Sequence, residues 1–231
     1  MKYFESIKED ASIVLIGEFN PEIFHPEWFI RNGIIPDLDY TALTYEIISN
    51  GFSKIEFTDN KSLIVTTKKL VYKSDKPTDY YHLKDLITSI FNELDGTNIT
   101  AMGMNFDWHL KFTDKDSWKN FGHVLAPREC WIESIPYLKT LQGSDDEKFE
   151  MLGLSDLTMH SPRNDDNHGH IRHSIEALDL KRMILSYRFN SHVVINSTTD
   201  IIKILNDSWD ESRDFAKETF TNLISNVNNG E

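Results

Sequence analysis

The sequence predicts an α+β fold made of two successive β-α-β-β-β-α halves, residues 1–97 and 98–231, joined in one continuous globular unit. Apolar side chains alternate strictly with polar or small ones over 101–112, the period of a half-buried strand. Segments 80–94 and 198–227 instead carry apolar residues at helical spacing. Because both patterns bury one face, we expect a single curved antiparallel sheet with both long helices packed on the same face.

The elements of each half follow from local signals. In the first half, a β-branched segment ends before Asn20-Pro21. Proline disfavours helix in the residue that precedes it, so this segment is expected to be a strand. Asp79 is a candidate N-cap for the long helix, and Gly96 closes that helix. We expect strands at 12–19, 54–58, 63–67 and 70–74, a short helix at 39–50 and a longer helix at 80–94.

The second half repeats this order of elements with little residue identity to the first. Asp114 or Asp116 can cap its short helix, and Thr198, Thr199 or Asp200 can cap the final one. We expect strands at 101–112, 149–159, 170–179 and 183–195, and helices at 114–124 and 198–227.

Composition restricts the kinds of partner that we expect. The 231 residues carry a formal charge of −13, which opposes sequence-neutral binding to a phosphate backbone and favours solubility or attraction of basic partners. The single cysteine cannot form an internal disulfide. The N-terminus lacks the apolar segment of a signal peptide, and no apolar run approaches the length of a membrane span, so we expect a cytoplasmic protein that binds no membrane.

Motifs of the common enzyme classes are missing from the sequence. It contains no G-x-x-x-x-G-K-[ST], G-x-G-x-x-G, G-x-S-x-G, H-E-x-x-H or C-x-x-C. These signatures mark nucleotide-binding, hydrolase and metal sites, so the sequence favours a protein that is not an enzyme, although it leaves the question open.

The segment NDDNHGHIRH, 164–173, is the first candidate site. His168 and His170 are two residues apart, which on a strand places both imidazoles on one face, as in an H-x-H metal pair. Asp166 (or Asp165) and His192 are candidates for the remaining ligands of a divalent metal. The alternatives are a solvated polar hairpin, which the loop composition favours, and a partner-binding loop.

Two further segments are candidates for an interface or a pocket. Asn105, Asp107 and His109 lie on the polar face of the 101–112 strand, where an aspartate beside a histidine suits acid–base chemistry. The alternative, which the pattern of a half-buried sheet favours, is an outer face that is polar and has no further role. The aromatic and proline-rich segment FHPEWF suits either an exposed recognition surface or packing of a loop onto the core. Its candidate interface residues are Phe24, His25, Trp28 and Phe29.

Two resemblances follow from these residues. The order of elements resembles the TATA-binding-protein fold, whose DNA-binding members are basic on the concave face and insert phenylalanines; this acidic sequence gives no sign of either feature. The Trp28-Phe29 pair, the AMGMNFDWHL strand and a tryptophan in the final helix resemble a group of uncharacterised bacterial proteins. That group carries an "alGiN" strand, is sporadically distributed and sometimes lies beside mobile-element or defence genes, and the resemblance transfers no catalytic residue.

Together these features predict a non-enzymatic interaction or regulatory protein that assembles with itself or with a protein partner and has no cofactor. The alternatives are a metal-dependent enzyme or metal-binding protein that uses the histidine and aspartate cluster, and a nucleic-acid-related regulator.

Overall fold

The protein is an α+β molecule, and nine strands of the part of the chain that the structure describes form one antiparallel sheet. A computed structural model describes residues 4–36, 44–49, 51–57, 60–163, 165 and 167–228. The first half contains β1 (Phe4–Gly17), α1 (Pro26–Arg31), β2 (Thr44–Ser49), β3 (Phe52–Phe57), β4 (Lys61–Thr66), β5 (Lys69–Ser74) and α2 (Tyr80–Glu93). The second contains β6 (Ile99–Phe112), α3 (Lys115–Leu125), α4 (Glu129–Ser134), α5 (Pro136–Thr140), α6 (Asp145–Phe149), β7 (Asp156–Pro162), β8 (Gly169–Asp179), β9 (Ile184–Val194) and α7 (Thr198–Asn228).

Both halves contribute to the same sheet, whose strand order is β2-β3-β4-β5-β1-β6-β9-β8-β7. The central pair is β1 with β6, the first strand of each half, and these two strands pair along almost their whole length. Every neighbouring pair is antiparallel, as expected.

The core lies between one face of the sheet and the two long helices, as the sequence predicts. Phe106 on β6 contacts Tyr80 of α2 and Trp209 of α7, with ring centroids 6.2 and 5.0 Å apart. Trp108, two residues along the same face, stacks on Phe220 of α7 at 5.6 Å. The alternation over 101–112 therefore divides β6 between this core and the opposite side of the sheet, which we call the open face.

Two predicted elements of the first half differ in the structure. The helix expected at 39–50 is wrong over Thr44–Ser49, which form β2, while 39–43 and 50 lie outside the described residues. The TYEIIS segment is β-branched and aromatic, and this composition favours a strand once a partner, here β3, is present. The short helix of this half is α1 instead, so four strands rather than three follow it. Strand β1 also begins at Phe4 rather than at 12.

The strand expected at 149–159 is also displaced. Phe149 ends α6, and the strand is β7, Asp156–Pro162, at one edge of the sheet. Its side chains are mostly exposed, so the sequence carries little of the apolar alternation that marks a half-buried strand.

Candidate binding surface

Five polar side chains form a row across the centre of the open face. Cross-strand pairing aligns Lys73 of β5 with Ser12 of β1, Ser12 with Asn105 of β6, Asn105 with Asn190 of β9, and Asn190 with Arg172 of β8. Residues aligned in this way share one face of a sheet, and four strand spacings separate the two cations by about 19 Å. We call this set the central row.

Hydrogen bonds fix the middle of the central row. The amide of Asn105 donates to Ser12 Oγ at 3.2 Å, and the amide of Asn190 donates to Asn105 Oδ1 at 2.6 Å. Gly103 makes this arrangement possible, because a Cβ at that position would lie 2.8 Å from Asn190 Nδ2. The two asparagines are therefore held in place before any ligand arrives, which lowers the entropic cost of binding.

The predicted pair Asp107 and His109 lies on the open face beside the central row. Ser186 donates a hydrogen bond to Asp107 at 2.7 Å, and His109 Nε2 lies 3.6 Å from the same carboxylate. Burial raises the pKa of Asp107 above its ordinary value, against the lowering effects of the Ser186 hydroxyl, His109 and Arg188.

A third potential ligand joins this pair from the neighbouring strand. One ligand atom from each of Asp10, Asp107 and His109 lies within 4.8 Å of the others, a spacing that suits a divalent cation. Both carboxylates already have internal cationic partners, since Lys8 contacts Asp10 at 2.7 Å and Arg188 lies 3.6 Å from Asp107. A metal ion would have to compete with these two side chains.

The predicted histidine ligands are only partly brought together. His160, His170 and His192 form a row across β7, β8 and β9, with neighbouring ring centroids 5.1 and 4.8 Å apart. Two strand spacings, about 10 Å, separate the outer two histidines, so the three cannot all bind one ion in this conformation. His168 is exposed in the hairpin before β8 and does not join the row, and the predicted ligand Asp166 lies outside the described residues.

Charged neighbours determine the electrostatics of this hairpin. Hydrogen bonds from Arg163 lower the pKa of Asp165 to about 2, so this carboxylate serves as the partner of an arginine. Burial, followed by the charge of His170, lowers the pKa of His192. The lowered pKa of His192 reduces the positive charge that the hairpin gains as the pH falls through neutrality.

The aromatic segment before and within α1 packs inward. Phe24 and Phe29 are fully buried and Trp28 is buried, with Trp28 and Phe29 in edge contact at 5.0 Å. His25 is the N-cap of α1 and pairs with Glu27 at 2.8 Å. The structure thus places the three aromatic candidates in the core, where they cannot present an exposed recognition surface.

The charge of the open face is the feature that sequence reasoning missed. A trough of about 770 Å³ runs along the face, and its described lining includes seven lysines or arginines and four acidic residues, a formal charge of +3. Within the described part of the chain, Lys69, Lys73 and Arg172 have no carboxylate at ion-pair distance. The whole chain carries −13, so the trough has the opposite sign to the average, and only strand pairing reveals it.

Beside the central row lies a second, apolar row. Ile64, Val71 and Val14 are aligned on β4, β5 and β1, and all three are half-buried. Lys69 and Lys73 flank Val71 along the same face of β5. The trough therefore places aliphatic surface directly next to unpaired cations.

The sequence matches no protein-family model and no curated protein. Among the described residues, no helix is long and apolar enough to cross a membrane. The arrangement of charge and apolar surface on the open face is thus the guide to function.

Proposed function

We propose that the protein is a non-enzymatic interaction protein whose open face binds an acidic segment of a protein partner. The observation that carries this proposal is the trough of formal charge +3 in a chain of charge −13. Internal ion pairs compensate Lys8 and Arg188, but the described residues leave Lys69, Lys73 and Arg172 without such a partner. Unpaired surface cations provide complementarity and orientation for an anionic partner.

An acidic peptide fits the trough better than a nucleic acid does. The central row and the apolar row present serine, asparagine, aliphatic and cationic side chains. Of the phenylalanines in the trough lining, Phe106 and Phe189 are buried and Phe57 packs edge-on against Tyr72, so these rings are not free to stack on a base. The apolar row instead suits a peptide that alternates carboxylates with aliphatic side chains. The charge of −13 also repels a long polyanion whose length extends beyond the trough.

Fluorescence anisotropy of a short labelled peptide that alternates glutamate with valine tests this proposal. We expect saturable binding that weakens with added salt, and a loss of about tenfold or more in the double variant Lys73→Glu/Arg172→Glu. The matched control Lys139→Glu/Arg182→Glu makes the same charge change at two exposed residues outside the trough lining and should bind as the wild type does.

Two other results would replace the acidic-protein proposal. Tighter binding of short RNA or DNA oligonucleotides than of this peptide, lost in the same double variant, would favour the nucleic-acid-related regulator. Self-association that the double variant abolishes would make a second copy of the chain the occupant of the trough.

We further propose that the two halves are related by an approximate two-fold rotation, in the manner of the TATA-binding-protein fold that the sequence resembles. The strand order supports this, since β5-β4-β3 on one side of the central pair corresponds to β9-β8-β7 on the other. A long helix also follows the last strand of each half. Superposition of the two halves in an experimental structure, with a rotation near 180°, is the test.

Metal binding stays the alternative prediction. The structure adds a second candidate metal site to the predicted hairpin, formed by Asp10, Asp107 and His109. Elemental analysis of tag-free protein purified natively is the measurement. Near-stoichiometric metal that disappears in His109→Ala would favour this cluster, and metal that disappears in His168→Ala/His170→Ala would favour the hairpin. No metal in the wild-type protein would count against both locations.

A further inference from the structure

A separate cavity of about 550 Å³ lies between α3, the segment that precedes β7 and the turn between β8 and β9. Trp118 and Phe121 of α3 contribute apolar wall, as do Leu154, Met183 and Leu185. Its volume falls within the range of pockets that hold small organic ligands. The cavity is distinct from the trough, since the described lining residues of the two do not overlap.

A buried arginine lines this otherwise apolar cavity. Arg128 is only 7% exposed, and its guanidinium donates to the carbonyl oxygens of Phe149 at 3.1 Å and Lys119 at 2.5 Å. A guanidinium has five N–H groups, so these bonds leave donors for a further acceptor. Within the described residues, no carboxylate forms an ion pair with Arg128. The carboxylate of the adjacent Glu129 instead lies 3.4 Å from His123 Nε2.

A buried cation without a counterion is costly unless something neutralises it. Burial lowers the pKa of Arg128, and the charge of the adjacent Glu129 offsets only part of this effect. Hydrogen bonds to two carbonyl oxygens satisfy some of its donors but leave its charge uncompensated. An anion in the cavity would supply both the missing charge and the missing acceptors.

The rest of the lining adds positive charge and exposed apolar surface. Lys115 and Lys119 share Glu150, the one carboxylate among the described lining residues, and Lys181 adds a fourth cation. Met151 and Leu180, also lining residues, are 52% and 66% exposed. The cavity is therefore amphipathic, with cations around a largely apolar interior.

We propose that this cavity binds a small organic anion with an apolar body, its carboxylate on the guanidinium of Arg128 and its hydrocarbon against Trp118 and Leu154. A buried charge-assisted hydrogen bond supplies orientation, and the apolar walls supply most of the affinity. This site is independent of the open face and would operate whether or not the trough binds an acidic partner.

Isothermal titration with decanoate tests the proposal, with decanol as the neutral ligand of the same chain length. We expect decanoate to bind the wild-type protein and decanol to bind at least about tenfold more weakly, since the alcohol cannot neutralise the guanidinium. Arg128→Gln, which removes the charge and retains one shorter amide group as a donor, should reduce decanoate affinity by about tenfold or more.

Two further variants separate binding from folding. Ala177→Phe leaves Arg128 unchanged and places a ring in the cavity from β8, so it should abolish decanoate binding even if Arg128→Gln does not fold. Arg182→Gln removes an arginine that is 76% exposed and lies outside the cavity lining, and it should bind as the wild type does. Equal affinity for decanol and decanoate, or no binding of decanoate up to about 1 mM, would overturn the proposal.

Discussion

Trp209 provides a direct test of the core packing described above. Its side chain is fully buried on α7, and its ring centroid lies 5.0 Å from that of Phe106. The indole Nε1–H is also buried and finds no acceptor among the described residues. Trp209 thus combines a large apolar contribution with an unsatisfied donor, and two substitutions separate these opposing effects.

Trp209→Ala removes the whole ring and should lower the free energy of unfolding by about 3–5 kcal/mol, as expected when a large aromatic side chain leaves a packed core. Trp209→Phe keeps one ring against Phe106 and removes the unsatisfied N–H, whose burial costs about 1–3 kcal/mol. The free energy gained by removing the unsatisfied N–H offsets much of the free energy lost with the smaller ring. We therefore expect a net change within about 2 kcal/mol for Trp209→Phe.

Urea unfolding, monitored by far-ultraviolet circular dichroism, measures both changes in the free energy of unfolding. The comparison is valid if the slope of this free energy against urea concentration is the same in the variants and the wild type. The reasoning is refuted if Trp209→Phe destabilises the protein as much as Trp209→Ala does. That result would mean that the indole N–H makes a hydrogen bond in solution, and that it contributes to stability.

Three further predictions concern backbone geometry and ionisation. Gly169→Ala should lower the free energy of unfolding by more than about 2 kcal/mol, because Gly169 has a φ of +154° and the new Cβ would lie 2.0 Å from a backbone oxygen of β9. In the control Gly153→Ala, the new Cβ would meet nothing within 4 Å. Chemical denaturation compares the stability of the two variants. Arg163 lowers the pKa of Asp165 to about 2, so the stability that Asp165 contributes is present above pH 3.8 and is lost as the pH falls toward 2. Asp165→Asn should therefore be less stable than the wild type at pH 7 and lose this deficit in acid, and a constant deficit would contradict the assignment. Burial raises the pKa of Asp107, so its contribution is greatest below pH 3.8 and is lost as the pH rises through its folded-state pKa. The stability of Asp107→Asn relative to the wild type should therefore increase with pH above 3.8, and unfolding at several pH values checks the sign.

The sequence predicts best the elements that bury one complete face. Strand 101–112 alternates because one side meets the helices and the other side meets solvent, and the structure confirms the strand as β6. The final helix is confirmed for the same reason, since its apolar stripe packs on the sheet. Strand β7 has almost no buried face, so its residues lack the pattern that would locate it.

The candidate site shows a second limit. Periodicity alone predicts that Asn105, Asp107 and His109 share a face, because one strand contains all three. The partners of these residues come from other strands, such as Asn190 on β9 and Asp10 on β1, and pairing between distant segments places them. The aromatic segment near Trp28 shows the same limit, since its composition suits a core and an interface equally well.

The net charge of the chain is a poor guide to its partners because the charges are separated in space. Exposed positions of α7, on the helix side of the sheet, carry part of the acidic charge, including Asp207, Asp210, Glu211 and Asp214. The trough, of formal charge +3, lies on the open face, and the helix layer of about 10 Å adds to the distance between the two groups. The Debye length at about 0.1 M salt is about 10 Å, so a ligand at the open face interacts mainly with the local cations. An acidic partner can therefore bind an acidic protein, provided that it approaches the open face of the sheet.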